Sequence, residues 1–317
     1  MGNAFKRRAA VIGGCGYIGS RLTLSLLDRG IDAVIFDPAP CPEDVRNRCE
    51  VIPADIITGA GLAGAFAGFD AVFLIAGALA RLSTADPIWG FDLNIVGVTR
   101  VVRELLNTTP VPRVILASTV AIDDIDNWAE DWYSQKPSFY AISRLAAEAV
   151  LASACACSEM QALSLRMFTV YGPGPSSGSR GHFIASLLER AAAGDPLLIH
   201  GDGSICVDVT HMDDVTSAFM LAMDAPSRSA GFACYYIGSG RETRLKEIAE
   251  WIQEVAPWVR IDYQLDAKSA LRRTIGDISR AREELGYSPS VSPERGIKQV
   301  ARDYFSRRKQ AITAGSD

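Results

Sequence analysis

The chain has 317 residues, 48% of them hydrophobic, and a formal net charge of −5. That is enough apolar material for one large domain or two closely joined ones. The acidic balance excludes the basic surface that a nucleic-acid or anionic-membrane partner requires, so neither partner is expected. The chain opens on MGNAFKRR, with Gly2 present but Lys6 where a myristoylation signal wants Ser or Thr. The apolar stretch after Arg8 is cut by glycines, so it reads as a strand and turn, not as a signal core. AAVIGG (9–14) is the first of a series of short apolar runs, continued by DAVIFD (32–37), EVIPAD (50–55), DAVFLIAG (70–77), RVILAST (113–119) and ALSLRM (162–167). Several are nearly all apolar, the pattern of strands in a parallel sheet covered on both faces. Helical patterns separate them. The first carries Ile18, Leu22 and Leu26 at i, i+4, i+8 and stops at Gly30; a later one spans 88–107, with Val98, Val101, Val102, Leu105 and Leu106 on its apolar side; a third, Ala-rich, spans 138–156. No apolar run reaches the roughly 18 residues of a membrane span.

This alternation predicts an α/β fold of Rossmann type, a doubly wound parallel sheet. Gly, Pro and Ser crowd YGPGPSSGSRG (171–181), which marks a boundary. Beyond it the rhythm changes, with helical patterns at 182–193 and 244–255 and short strands such as ACYYIGS (233–239). The expected organisation is a dinucleotide-binding domain over 1–170 with a return segment near 205–225, and a smaller C-terminal α/β substrate lobe over 171–317 that roofs the sheet's crevice. The chain is expected to end in a polar stretch over 306–317. Seven cysteines (15, 41, 49, 155, 157, 206 and 234) make an odd count without zinc-site spacing, and Cys155 and Cys157 form C-x-C with no second pair. Reduced thiols in a cytoplasmic protein are expected. The histidines, 182, 200 and 211, show no metal spacing, and no metal is expected.

The chemistry starts at VIGGCGYIGS, between the first strand and the first helix. Gly13, Gly16 and Gly19 are spaced G-x-x-G-x-x-G, which lets a backbone turn tightly and a pyrophosphate approach the helix N-terminus. Asp37 ends the second strand about 20 residues on, where a carboxylate accepts from ribose hydroxyls and repels a 2′-phosphate, favouring NAD over NADP; the competing reading is an Asp that caps a loop. Asp55 ends the third strand and either touches the adenine or caps the turn. Ala76, Gly77 and Ala78 end the fourth with little side-chain bulk, which suits a backbone lying against a dinucleotide and equally suits close packing. In FYAISRLAAE (139–148), Tyr140 and Arg144 lie one helical turn apart on the same face.

Together these segments, with FDLNIVGV, VILAST, PSFYAISRLAAE, LRMFTVYGPG, GDGSICVDVTHMDDV, YYIGSG and GDISRAREELGYSP, resemble an extended short-chain dehydrogenase/reductase of the NAD-dependent epimerase/dehydratase family, similar to its UDP-glucose/galactose 4-epimerase-like members. The resemblance runs nearly end to end. It implies an NAD-dependent enzyme in which Tyr140 is the acid/base, Thr119 shares a hydrogen bond with the same substrate oxygen, and Asn94 supports the site; for Asn94 a buried polar residue bonded to backbone is an equal reading. It also implies cofactor contacts at Gly13, Gly16, Tyr17, Ile18, Gly19, Asp37, Asp55, Ile56, Ala76, Gly77, Ala78, Asn94, Tyr140 and Arg144. A free phenol has a pKa of about 10 and must fall by about three units, roughly 4 kcal/mol, to act as a base near neutrality. A cation one turn away and the positive nicotinamide ring supply that. Relatives mostly carry Lys where Arg144 stands, and Arg has a bulkier, planar head. Lys136, before Pro137, cannot take its place.

The dehydratase branch puts an Asp-Glu pair directly after the catalytic Thr, and the decarboxylases put Glu two residues after it. Here Val120 and Ala121 follow Thr119, and Asp123 and Asp124 come too late. That leaves epimerisation or a plain alcohol/ketone oxidoreduction. Family members acting on nucleotide sugars commonly have Arg, which pairs with the diphosphate, where Val207 stands, and Asn where Thr169 stands. Thr169, Arg180, His182, Arg272 and Arg273 are the expected substrate contacts, and His211, in VTHMDDV, is expected to be structural. Three readings stay open: an epimerase-type oxidoreductase acting on a nucleotide sugar, a dehydrogenase or ketoreductase acting on a non-nucleotide substrate, and an NAD-binding protein whose site Arg144 impairs. The resemblance further implies a homodimer through the helix near 88–107 and a face of the Tyr140 helix carrying Ala141, Leu145, Ala149 and Ala152.

Overall fold

The computed structural model describes residues 6–78, 80–124, 138–173, 183–226, 231–265 and 276–314. In chain order, the first half runs β1 (Arg8–Ile12), α1 (Tyr17–Asp28), β2 (Asp32–Phe36), α2 (Glu43–Arg46), β3 (Glu50–Ile52), β4 (Ala71–Leu74), α3 (Ala80–Ala85), α4 (Pro87–Phe91), a π-helical segment (Asp92–Gly97), α5 (Val98–Leu106), β5 (Arg113–Thr119), a 3₁₀ turn (Val120–Asp124), α6 (Phe139–Ala156) and β6 (Gln161–Met167). There follow β7 (Thr169–Tyr171), α7 (Phe183–Ala193), β8 (Leu197–His200), β9 (Cys206–Val207), β10 (Val209–His211), α8 (Met212–Asp224), β11 (Gly231–Ile237), β12 (Thr243–Arg244), α9 (Leu245–Val255), β13 (Ile261–Gln264), α10 (Ser279–Leu285) and α11 (Pro293–Ala314). The chain divides into two compact units: Met1–Arg166 with Thr216–Tyr235 and Glu283–Gly286, and Met167–Val215 with Tyr236–Arg282 and Tyr287–Asp317.

The first unit is built on a seven-stranded sheet of order β11-β6-β5-β4-β1-β2-β3. Outward from β1, the order reverses between β1 and β4, which opens a crevice at the carboxyl ends of those strands. The parallel register places Ile12 beside Phe36 and beside Leu74, so the segments after β1, β2 and β4 begin at the same level. β1, β2 and β4 are buried almost throughout, as their unbroken apolar runs require of a sheet covered on both faces. One face packs Ile12, Val34, Phe36, Leu74 and Leu116 against Val98, Val101 and Leu105 of α5 and Ala147 and Leu151 of α6. On the other, Phe73 meets Phe219 of α8 edge-on at 6.1 Å. Each such fully buried aliphatic or aromatic side chain contributes about 1.5–3 kcal/mol. In the second unit the core gathers Ile184, Leu187, Leu197, Val207, Ile248, Ile252 and Ile297.

The structure adds to or differs from the sequence reading in five places. The ACYYIGS strand, expected in the smaller lobe, is β11 at the edge of the main sheet. The segment returning to the first unit is 216–235, later than the expected 205–225. The single helix expected over 88–107 is broken into α4, a π-helical segment and α5. Most of the polar end expected at 306–317 belongs to α11, which reaches Ala314. Finally, α6 is 18 residues long with a mean hydropathy of 1.3, long and apolar enough to cross a membrane by length and composition; it holds two buried charged residues, Arg144 and Glu148, and packs on the sheet as a core helix.

Candidate active site

The turn after β1 is held at both ends by backbone bonds. Gly13 N donates to Phe36 O at 3.0 Å, and Ala76 N donates to Ile12 O at 2.8 Å, so the turn sits between the ends of β2 and β4. Gly13 has φ +85, and a β-carbon there would lie 2.5 Å from Ala76 N. A β-carbon on Gly19 would lie 2.1 Å from Gly13 O, so α1 enters the turn too closely for any side chain. Gly16 differs: it is exposed, and its β-carbon would meet only Gly13 O, at 3.4 Å. Gly16 is also the N-cap of α1, which has no side-chain cap and no acidic residue in its first turn, formed by Tyr17, Ile18 and Gly19. Its leading N–H groups therefore keep their affinity for an anion.

Asp37 is nearly buried, 9% exposed, and its carboxylate accepts from Cys15 N at 3.0 Å and from Ala39 N at 2.9 Å. It braces the glycine turn from the neighbouring strand. Burial of the Cys15 thiol itself, and next the neighbouring Asp37 carboxylate, push it well up from its ordinary value. Asp55 turns on its own loop, accepting from Ile57 N at 2.8 Å and Thr58 Oγ1 at 3.1 Å, so the turn-capping alternative describes its contacts. Ile56 is 4% exposed and packs in the core, where a β-carbon on Gly97 would lie 2.7 Å from its Cδ1.

A second group of candidate residues is carried by α6. Ser138 caps its start by accepting from Ala141 N at 3.1 Å, one residue-pair from Tyr140, which is partly buried. Ser143 Oγ donates to Tyr140 O at 2.9 Å and accepts from Asn94 Nδ2 at 2.9 Å. Asn94 Oδ1 accepts from Ala78 N at 3.0 Å and from Arg144 Nη1 at 3.4 Å. Asn94 is wholly buried and sits in the π-helical segment, the wide turn that interrupts the expected helix; such segments recur at functional sites. One amide thus ties the end of β4 to the tyrosine turn of α6, and both readings of Asn94, active-site support and buried polar residue bonded to backbone, describe it. Arg144 is 3% exposed, and its Nε is buried with no hydrogen-bond partner among the described residues. Burial pushes its guanidinium down from the ordinary value; Tyr140 and Glu148 oppose the shift.

Glu148, one turn beyond Arg144, is a contact that sequence reading missed. Its carboxylate accepts from Ser118 Oγ at 2.7 Å, Ser164 Oγ at 2.8 Å, and Arg166 Nε and Nη2 at 3.1 and 2.7 Å. These bonds hold it below the usual carboxylate range even though burial acts the other way. Ser118 precedes Thr119, the last residue of β5, so Glu148 anchors the strand end that carries Thr119 to the helix that carries Tyr140. Thr119 Oγ1 accepts from Ala121 N at 3.2 Å. Asp123 pairs with Arg166 at 3.3 Å. The i, i+4, i+8 series Tyr140, Arg144, Glu148 was the available signal, together with two serines and an arginine inside otherwise apolar strands.

In the second unit, Thr169 opens β7, and its N–H donates to Asp208 O at 3.2 Å. Val207 is 3% exposed within the core. His211 packs edge-on against Tyr171 at 5.3 Å, and its Nδ1 accepts from Asp213 N at 3.2 Å. Arg180, His182, Arg272, Arg273 and Lys136 lie outside the described residues.

Residues 9–238 match the model of the family described as NAD dependent epimerase/dehydratase family. The chain is 27% identical to the UDP-glucose 4-epimerase of Mycolicibacterium smegmatis, covering 96% of this chain and 100% of that one. It is 25% identical to the 2-alkyl-3-oxoalkanoate reductase of Stenotrophomonas maltophilia, covering 92% and 97%. A solved structure of MoeE5 in complex with UDP-glucuronic acid and NAD superimposes with a TM-score of 0.81 at 26% identity, covering 95% of this chain and 99% of that one. With the family match spanning well over half its length, and a sheet and glycine turn of this build, this chain belongs to the NAD-dependent epimerase/dehydratase family and is an NAD-dependent enzyme of the extended short-chain dehydrogenase/reductase type.

Proposed function

We propose that this enzyme performs reversible hydride transfer at a secondary hydroxyl of a nucleotide sugar, with epimerisation as the net reaction. The observation that carries the proposal is the contact chain from Tyr140 through Ser143 and Asn94 to Arg144 and the Ala78 amide. It fixes the backbone at Tyr140 and a buried cation relative to the end of β4, against which the glycine-rich turn packs.

The residues present fit NAD. Gly16 leaves open space where a pyrophosphate would approach, and the uncapped start of α1 offers N–H groups to it. Asp37 uses two of its roughly four acceptor positions, leaving capacity for ribose hydroxyls. Arg144 Nε is a buried donor without a hydrogen-bond partner among the described residues, and a nicotinamide-ribose hydroxyl would suit it. Bound NAD provides the hydride acceptor and, on return, the donor. Tyr140 takes the proton from the substrate hydroxyl and gives it back, while Thr119 Oγ1 shares a hydrogen bond with the same oxygen. Arg144 holds a positive charge one turn from the phenol; Asn94 bonds Arg144 directly and reaches the Tyr140 backbone through Ser143. The first unit is read as the NAD-binding domain and the second as the substrate lobe, where Thr169, Arg180, His182, Arg272 and Arg273 are the proposed contacts.

A dehydrogenase or ketoreductase acting on a non-nucleotide substrate is the second reading. Val207 favours it: the position is buried in an apolar core and offers no cation to a diphosphate. The reductase relative is of matching length. A homodimer through α5 and α6, working in the cytoplasm with its seven free thiols reduced, completes the proposal.

Incubation with UDP-, GDP- and dTDP-sugars separates the two readings. An epimerase interconverts the C–OH configurations with no net change in nicotinamide absorbance, whereas a dehydrogenase accumulates NADH in step with product. Tyr140→Phe should abolish turnover while leaving NAD binding within about twofold, since only the acid/base is lost. Undiminished turnover in that variant on every accepted substrate would remove Tyr140 from the chemistry.

A further inference from the structure

We propose that Gly77 is the residue that admits an arginine at position 144. The guanidinium lies where a side chain at 77 would begin, so the two positions form one matched unit, and the identity of residue 77 determines which cation can stand one turn from Tyr140.

Gly77 follows β4 and is not among the glycines with positive φ. Its backbone is therefore open to any residue, and what it supplies is room. A β-carbon there would lie 2.7 Å from Arg144 Nη1, 3.3 Å from Arg144 Cζ and 3.3 Å from Asn94 Oδ1. The glycines of the turn are different in kind: Gly13 and Gly19 are crowded by backbone, whereas Gly77 is crowded by one buried guanidinium and the amide that receives it. The guanidinium has little freedom to withdraw. Arg144 is 3% exposed, and Nη1 rests on Asn94 Oδ1, while Asn94 is committed to Ala78 N and Ser143 Oγ.

Atom counting shows why lysine is not subject to the same constraint. The lysine side chain ends at the position of the arginine Cζ, one bond short of Nη1, the atom that makes the closest approach. It also has a methylene where arginine has Nε, so the buried, unpartnered N–H disappears with it. Arg144→Lys keeps the charge and relieves both features; Gly77→Ala beside an arginine forces the guanidinium off Asn94, and so out of register with Tyr140.

The test is a double-mutant cycle on Gly77→Ala and Arg144→Lys, read by thermal midpoint and by calorimetric titration with NAD. In the arginine background, Gly77→Ala should lower the midpoint by several degrees and weaken NAD binding about tenfold or more. In the lysine background the same change should leave the midpoint nearly unmoved. Equal effects in both backgrounds would overturn the proposal. If Gly77→Ala alone does not fold, recovery of folded protein in the double variant supports it, and failure of the double variant overturns it. The affinity readout rests on the NAD-binding reading, but the midpoint readout does not. Wild-type protein that fails to bind NAD would refute that reading, and the thermal cycle would still decide the pairing.

Discussion

Three glycines that look equivalent in the motif do different work. Gly13 and Gly19 are required by the protein itself, because their β-carbons would enter backbone at 2.5 and 2.1 Å. Gly16 has ordinary room and faces solvent, so its smallness serves what approaches from outside. Gly19→Ala should therefore destabilise the fold by about 1–3 kcal/mol, visible in chemical unfolding without any cofactor. Gly16→Ala should leave unfolding unchanged within about 0.5 kcal/mol and weaken NAD binding about tenfold. If Gly16→Ala bound NAD as tightly as wild type, the pyrophosphate would not sit on this turn.

At the scale of the element, α6 is both the carrier of Tyr140 and a strut. Its Glu148 joins it to β5 through Ser118 and to β6 through Ser164 and Arg166. Glu148→Gln keeps the shape and removes the charge beside Arg166, which is 18% exposed and keeps its contact with Asp123. Losing one partner of a buried pair costs about 3–5 kcal/mol, and the retained Asp123 contact places this case at the lower end. The pH dependence has a definite sign. A carboxylate held below its ordinary value of 4.5 contributes stability that is complete above that pH and lost as pH falls through the lower, folded value. The acid limb of stability against pH should thus be shallower in Glu148→Gln than in wild type. Parallel acid limbs would show that Glu148 is not what titrates there.

For the whole molecule, α6 poses a problem of coverage. It is apolar on average, yet only 39% of its residues are buried within the chain, Arg144 and Glu148 among them. Ala141, which sequence reading placed on the partner face, turns inward and is fully buried, while Ala149 is exposed and Leu145 and Ala152 are partly so. Val96, in the π-helical segment, and Leu106, the last residue of α5, are 38% and 45% exposed. A second copy packed on this surface would bury it, so Ala149→Arg should convert a dimer to a monomer in light scattering while retaining NAD binding. A wild-type protein that is monomeric at micromolar concentration would dispose of the dimer.

Sequence by itself determined the α/β class, the strands β1 to β6, the glycine turn and the pairing of Tyr140 with Arg144, because these depend on local periodicity and on spacing within single elements. It left Asp37, Asp55 and Asn94 each with two readings, because a polar residue at a strand end or within a helix reads alike whether it meets a ligand or its own backbone. Tertiary structure settled what depends on atoms far apart in the chain. It joined Asn94 to Ser143 and Ala78, gathered Ser118, Ser164 and Arg166 around Glu148, and put β11 at the edge of the main sheet. It also brought the empty side of Gly77 against the head of Arg144. An absent β-carbon has no periodicity to detect; its meaning is the atom that fills the space, and only the folded chain supplies that atom.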